Sequence, residues 1–199
     1  IRILDTDVTH LDPVERRLLG AVFVPEERIG HAAVADLTLV DNSYLTAAGR
    51  MKFSSHGLIN WSSVSEFAQT VVRDFDVRTT GVDALASSLS GGNLQKFIVG
   101  REILQEPQVL VVSQPTWGVD AGAAAAIHEQ IQKLAKAGAA VLMISQDLDE
   151  IFLLSQRIAV ISQGTLSAAT PVGDATPEDI GLLMGARHTQ EPENPRVPA

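Results

Sequence analysis

Three short apolar runs constrain the fold of this chain more than any other feature of its sequence. The runs at residues 109–112, 140–144 and 158–161 are continuous rather than alternating, which is typical of strands buried on both faces of a parallel sheet. Helical patterns at residues 122–137 and 147–154 separate the three runs. This alternation predicts a doubly wound α/β domain with right-handed crossovers.

Local signals predict the elements that precede these strands. Asp12, followed by proline, indicates the start of a short helix, and an apolar strand follows at residues 21–24. Residues 38–77 have helical periodicity, but their polar middle, residues 49–63, indicates an irregular connection rather than a strand. A further helix is predicted over residues 94–106.

Charge and composition exclude several classes of function. The net charge is -9, from 15 Lys and Arg against 24 Asp and Glu, so no general positive field would attract nucleic acid. There is no cysteine, and the 5 histidines lack the spacing of metal ligands, so we predict no metal site. No apolar run reaches the ~18 residues of a membrane-spanning helix, so direct membrane insertion is not expected.

A Ser-Gly-Gly-Asn turn at Ser90, Gly91, Gly92 and Asn93 is the clearest candidate for chemistry. Two glycines let the backbone approach a ligand closely, and the helix that follows directs its N–H groups and positive dipole end at an anion. Ser90 adds a hydroxyl donor, and Gln95 lies in the first turn of the helix. The turn can therefore bind phosphate, although a flexible linker has the same composition.

Four segments, in order along the chain, resemble motifs of the ABC-transporter ATP-binding cassette. Residues 89–96, Leu-Ser-Gly-Gly-Asn-Leu-Gln-Lys, resemble the signature motif, in the variant typical of the C-terminal cassette of sugar and nucleoside importers. Residues 115–120, Pro-Thr-Trp-Gly-Val-Asp, resemble the segment that joins the Walker B strand to the D-loop. Residues 25–28 resemble the Q-loop region, with Glu26 in place of the usual Gln. Residues 144–150 resemble the switch region. The whole resemblance extends over residues 1–185.

The departures from the family pattern are equally informative. No Gly is followed by Lys, so the phosphate-binding Gly-x-x-x-x-Gly-Lys loop is absent, and we interpret the chain as truncated before that loop. The family's Walker B Asp and Glu are replaced by Ser113 and Gln114, and its switch histidine by Gln146. A neutral amide cannot act as a general base, and loss of that base lowers rates by about 10²- to 10⁴-fold. The resemblance therefore implies a degenerate site with no intact catalytic residue, whereas taken alone these residues would be an ordinary strand end and a capping loop.

The fold implied by the resemblance is an incomplete P-loop NTPase-like (RecA-like) α/β fold. It would have a parallel sheet with helices on both faces and an inserted helical subdomain. The predicted segments are an N-terminal part with the Q-loop-like turn, a helical subdomain with the signature, an α/β core and a flexible tail, at residues 1–30, 31–106, 107–185 and 186–199. Because the missing loop and its helix would expose one side of strand 109–112, we expect the isolated chain to self-associate.

The function implied by the resemblance is a share in an ATP site between two cassettes. Each ATP would lie between one cassette's phosphate loop and the other's signature, so this chain would donate its signature to a second cassette, the N-terminal half of the same polypeptide. The nucleotide-contacting residues would be Ser90, Gly91, Gly92, Asn93, Gln95, Glu26 and Asp120. ATP and Mg²⁺ would be cofactors of the full assembly only, and the chain alone would be inactive.

The resemblance also implies membrane permease subunits as partners and a peripheral position on the cytoplasmic face of the bacterial inner membrane. Two other functions remain open. A soluble ABC ATPase working on DNA or ribosomes is opposed by the acidic composition. A noncatalytic interaction domain with the cassette fold would associate with its partner irrespective of ATP.

Overall fold

The structure, a computed structural model, describes residues 1–55 and 57–185. Contacts divide the chain into two compact units, residues 1–146 and the residues from Asp147 onward. The tail predicted for residues 186–199 lies outside the described residues. The segment boundaries predicted at residues 30, 106 and 185 remain predictions.

The first unit contains seven strands and five helices among the described residues. In chain order they are β1 (Arg2–Ile3), β2 (Thr6–Asp7), α1 (Pro13–Leu18), β3 (Ala21–Val24), α2 (Leu39–Met51), β4 (Ser54–Ser55), β5 (Leu58–Ile59), α3 (Trp61–Asp74), α4 (Gly91–Ile103), β6 (Val109–Ser113), α5 (Ala121–Lys136) and β7 (Ala140–Ile144). A 3-10 helix at Ala86–Ser88 precedes α4.

Helix α1 begins where the sequence predicts. The Asp12 carboxylate accepts a hydrogen bond from Glu15 N at 2.8 Å, and the Glu15 carboxylate accepts one from Asp12 N at 2.9 Å. This reciprocal pair is a capping box, which satisfies amides that have no partner within the helix. The predicted N-cap at Asp12 is confirmed.

A parallel sheet in the order β3-β6-β7 lies at the centre of the first unit. One of its faces packs on the core: Val22, Val24, Leu110 and Val112 are no more than 2% exposed, in the same core cluster as the apolar residues of α4 and α5, and Val141 and Met143 of β7 are partly buried against it. The other face carries exposed apolar side chains at Phe23, Leu142 and Ile144. The predicted parallel sheet with helices is therefore present, but within the described residues this second face is not covered as the prediction of helices on both faces requires.

The structure differs from the predicted helical region at the connection between α2 and α3 and at both ends of α4. Residues 49–63 are not an irregular connection, because α2 continues to Met51, α3 begins at Trp61, and β4 and β5 pair as an antiparallel hairpin between them. Helix α4 begins at Gly91, three residues before the predicted start at Leu94, because Ser90 accepts the hydrogen bond of the Asn93 amide and caps the helix. Its end at Ile103 also precedes the predicted end.

The described part of the second unit contains α6 (Leu148–Leu154), β8 (Arg157–Ile158), β9 (Ile161–Ser162), β10 (Thr165–Leu166), β11 (Thr170–Pro171), a 3-10 helix (Val172–Asp174) and α7 (Pro177–Gly185). The predicted single parallel strand at residues 158–161 is wrong. Its ends belong to different antiparallel pairs, β8 with β11 and β9 with β10, and only Ile158 and Val160 are buried, in a small core with Ile180.

A buried ionic cluster joins α4 to the helices around it. Arg101 and Glu102 are 2% and 0% exposed, and Arg101 Nε donates to Glu102 Oε1 at 2.9 Å. The second Glu102 oxygen accepts from Arg17 Nη1 at 2.8 Å, which ties α1 to α4. Arg101 also donates to the carbonyls of Asn42 and Ala32. Each charge buried here is thus paired and hydrogen-bonded.

A substitution at Gly100 would test how closely α4 packs against the end of α3. A Cβ placed on Gly100 would lie 2.6 Å from the ring of Phe75, which is 6% exposed. Alanine normally favours a helix over glycine, but here we expect Gly100→Ala to destabilise the protein by about 1–3 kcal/mol through overpacking. A urea-unfolding midpoint that stays the same or rises would contradict this packing.

Candidate functional site

Helix α4 presents its N-terminus to solvent at the Ser-Gly-Gly turn. Ser90 is exposed and has extended backbone angles, and its Oγ accepts hydrogen bonds from the Asn93 amide nitrogen at 3.4 Å and from Asn93 Nδ2 at 2.9 Å. Asn93 Oδ1 in turn accepts from Arg78 N at 2.9 Å, which fixes the turn to the loop after α3. The first amides of the helix precede any intrahelical bond, so they are donors for an anion.

Gln95 uses its buried amide to join three segments. It is 1% exposed, and its Nε2 donates to the carbonyl of Pro115 at 2.9 Å and, more weakly, to that of Gln114 at 3.4 Å. Its Oε1 accepts from Arg28 Nε at 2.9 Å. Gln95 therefore acts within the protein and does not face solvent as a ligand of nucleotide, which differs from the predicted direct contact.

Arg28 lies in a notch between two glycines. Its guanidinium also donates through Nη2 to the carbonyl of Trp117. A Cβ on Gly91 would lie 2.7 Å from Arg28 Nη1, and one on Gly118 would lie 3.1 Å from Nη2. Partial burial lowers the pKa of the Arg28 guanidinium from its usual value, because desolvation disfavours the charged form.

The turn before α5 lies beside the Ser-Gly-Gly turn. A Cβ on Gly92 would be 3.4 Å from the Gly118 carbonyl oxygen and 3.7 Å from Val119 Cα. Asp120 is the N-cap of α5 and accepts from Ala123 N at 2.9 Å. That hydrogen bond lowers the pKa of Asp120, and the charge of Lys96 contributes in the same direction. The structure thus brings the predicted signature residues and Asp120 into one region.

The predicted degenerate positions lie at the ends of the central strands. Ser113 is the last residue of β6, and Gln114 follows with a left-handed φ of 51° and donates its amide hydrogen to the Ile144 carbonyl at 2.8 Å. Gln146 is exposed just after β7, and Glu26 is exposed in the loop after β3.

These positions do not fit a bound Mg²⁺. Neither Ser113 nor Gln114 carries the charge that a divalent cation favours. Within residues 1–55 and 57–185 no group of three or more His, Asp or Glu side chains could hold a metal ion. The Ser-Gly-Gly turn, in contrast, suits an anion, because glycine backbone and a hydroxyl lie together at the start of a 13-residue helix.

Sequence reasoning missed the residues that hold the turn in place. Arg28 appeared only as the last residue of a four-residue segment, and no periodicity indicates that it reaches 67 residues along the chain to Gln95. The adjacent charges Arg101 and Glu102 in an apolar helix were the one available signal of a buried ion pair. Buried charges need hydrogen-bond partners, and the sequence alone does not show which residues provide them.

The chain matches no protein-family model. It is 37% identical to the nucleoside import ATP-binding protein of Lactococcus lactis over 184 residues, which are 92% of this chain and 36% of the relative. For the guanosine import ATP-binding protein of Bacillus subtilis the identity is 35% and the two shares are the same. The glucose import ATP-binding protein of Haloferax volcanii is 39% identical, over 89% of this chain and 33% of the relative. The chain therefore spans about a third of the length of the curated relatives it matches.

Two solved structures resemble the fold. One is a dimeric ATP-binding cassette in a post-hydrolysis state bound to ADP and Pi, with a TM-score of 0.70 and 19% identity over 85% of this chain and 72% of the other. The second is the ATP-binding subunit of an ABC transporter, with a TM-score of 0.71 and 18% identity over 92% of this chain and 75% of the other. These similarities confirm the predicted fold class. In the described part of the chain, no helix is both long enough and apolar enough to cross a membrane.

Proposed function

Since this chain belongs to the ATP-binding cassette family of ABC transporters, we propose that it forms part of the ATP-binding subunit of an importer for sugars or nucleosides. Its task is to donate the Ser90–Gly92 turn to an ATP site shared with a second cassette. The observation that carries this proposal is the exposed turn at the N-terminus of α4, where Ser90, Gly91 and Gly92 present a hydroxyl and backbone donors to an anion.

The partner cassette completes the ATP site at the Ser-Gly-Gly turn. In the shared site each ATP lies between the signature of one cassette and the glycine-rich loop and lysine of the other, which we assign to the N-terminal half of the same polypeptide. The carboxylates that would hold Mg²⁺ and orient the attacking water at this site would belong to the same partner, whereas Ser113 and Gln114 belong to the second site. When bound, ATP with its Mg²⁺ provides the free energy of closure, and this chain binds and orients its phosphates.

An importer's ATP-binding subunit would also have membrane permease subunits as partners. Permease subunits in the membrane would contact the helical region that contains α2 and α3, and the assembly would lie on the cytoplasmic face of the membrane. Asp120 and the turn before α5 would lie at the seam between the two cassettes, since that turn is in contact with the signature turn. In this proposal the permease, and not this chain, selects the sugar or nucleoside that is transported.

The test is to mix the purified chain with a separately expressed N-terminal cassette of a related importer. We expect ATP to promote association of the two, and hydrolysis to require both. Ser90→Arg places a large cation at the exposed turn and should abolish ATP-dependent association, lowering the association constant at least about tenfold. Association is measured by analytical ultracentrifugation and hydrolysis by phosphate release.

A matched control is Ser87→Arg, at an exposed serine of the preceding 3-10 helix outside the turn. It should leave the ATP dependence unchanged. If ATP has no effect on association and Ser90→Arg is harmless, the chain is instead a noncatalytic interaction domain with the cassette fold. The neutral residues at the Walker B positions are the observation that favours this second function.

A further inference from the structure

Gly91 and Gly118 leave a notch that is filled by a side chain from a distant segment. The chain folds so that the loop after β3 brings Arg28 between the first residue of α4 and the turn before α5. The guanidinium donates through Nε to Gln95 and through Nη2 to the Trp117 carbonyl. Its planar fork can make these two bonds at once, which a lysine ammonium cannot do with the same geometry.

The two glycines of the Ser-Gly-Gly turn differ in what surrounds them. A Cβ on Gly91 would lie 2.7 Å from Arg28 Nη1, which is closer than real Cβ contacts. A Cβ on Gly92 would meet the Gly118 carbonyl at 3.4 Å, which is an ordinary contact, and would not meet Arg28. A side chain at position 91 would therefore have to displace the end of the Arg28 side chain from this notch.

The partners of Arg28 belong to α4 and to the turn before α5. Gln95 lies one helical turn inside α4 and holds the Pro115 carbonyl, while Arg28 holds the carbonyl of Trp117 two residues later. These bonds connect the loop after β3, the start of α4 and the turn before α5. Movement of any one of the three would change the position of the others.

We propose that Arg28 is a positioning residue, which holds the Ser-Gly-Gly turn at a fixed distance from the turn before α5 and so sets the geometry of the anion site. Arg28 acts through Gln95, Gly91 and the Trp117 carbonyl and does not itself contact the nucleotide. The expected effect of Arg28 on ATP-dependent association rests on the proposed function, whereas the contacts of Arg28 with Gln95, Gly91 and Trp117 do not.

A double-mutant cycle on the whole chain tests the seating without any nucleotide. Alanine ordinarily stabilises relative to glycine by restricting the unfolded chain. In the unaltered chain Gly91→Ala should instead lower the folding equilibrium constant about tenfold, because the new Cβ displaces Arg28. In the Arg28→Ala background the same substitution should become neutral or stabilising, since the notch is then empty. Urea unfolding followed by circular dichroism measures all four proteins.

Hydrogen exchange locates the effect. Arg28→Ala should raise the exchange rate of amides in residues 115–120 and 91–96 about tenfold, which corresponds to the loss of one hydrogen bond to a charged group. Arg28→Lys should resemble Arg28→Ala, because the two bonds need the guanidinium. The control Arg73→Ala removes an exposed arginine that pairs with its neighbour Asp74, and it should leave exchange in both segments unchanged.

A third experiment measures the ATP-dependent association of the same variants with a complementary cassette. Arg28→Ala should raise the ATP concentration for half-maximal association about tenfold while the chain remains folded. If the substitution of Gly91 has the same effect with and without Arg28, and exchange is unchanged in Arg28→Ala, the positioning role is wrong. If the cycle and the exchange behave as expected but ATP has no effect on the unaltered chain, the positioning role stands and the proposed function fails.

Discussion

Glu102→Gln is expected to lower the free energy of unfolding by about 3–5 kcal/mol, the largest loss that we expect from one substitution in this chain. Glutamine has nearly the same volume, so the change removes the charge without creating a cavity. Arg101, which is 2% exposed, would then be a buried cation without a countercharge beside it, and Arg17 would lose the carboxylate that ties α1 to α4. Urea unfolding followed by circular dichroism gives the measurement.

The control for this prediction is Glu129→Gln. Glu129 also accepts from a cation, Lys133, at 2.8 Å, but both side chains are more than half exposed. Water and salt screen such a pair, so its loss should not change the unfolding midpoint measurably. Equal small effects of the two substitutions would contradict a stabilising role for the buried cluster.

The same cluster predicts a dependence of stability on pH. Burial raises the pKa of Glu102, but the charges of Arg101 and Arg17 more than offset it, so the folded-state pKa lies below the ordinary value of 4.5. Between the folded and the unfolded pKa the unfolded chain binds more protons, so this contribution is complete above about pH 4.5 and is lost as the pH falls through the folded pKa. The stability difference between the unaltered chain and Glu102→Gln should therefore decrease in acid below this pH.

Elements with strong local signals could be predicted from the sequence. The apolar runs of β6 and β7 occur within a residue of their expected bounds, because a continuous apolar run between turn residues is typical of a parallel strand, although Leu142 and Ile144 of β7 are exposed. Asp12 was correctly predicted as a cap because capping depends only on neighbours within one turn. Ser90 and its glycines were identified for the same reason, as a short pattern with a local mechanism.

The errors arose where the outcome depends on distant residues. Residues 158–161 are apolar enough for a central strand, but each half pairs antiparallel with a later segment. No local sequence pattern indicates which segment a strand will pair with. Gln95 looks like a ligand beside a phosphate turn, yet its amide is used by Arg28 and Pro115. Contacts that join residues 20 to 67 positions apart are set by the fold and not by the spacing of residue types.

The exposed face of the central sheet leads to the last prediction, that the isolated chain self-associates. Phe23, Leu142 and Ile144 are 48%, 57% and 47% exposed, and Phe23 and Leu142 are neighbours of Val111 in one row across the three strands. Parallel sheets are ordinarily covered on both faces, and burying the exposed part of each large side chain contributes on the order of 1 kcal/mol. Among the described strands β3 and β7 are also sheet edges, which can pair with a second copy.

Sedimentation of the chain at increasing concentration should therefore give species heavier than the 21.2 kDa monomer. Replacing Phe23, Leu142 and Ile144 together by threonine removes apolar surface but keeps residues that favour strands, so the variant should remain folded and shift towards the monomer. Leu45→Gln removes an apolar side chain that is 55% exposed on α2 and not on the sheet, and it should not change the distribution. A chain that stays monomeric at every concentration, or a triple variant that associates as before, would show that this face does not drive self-association.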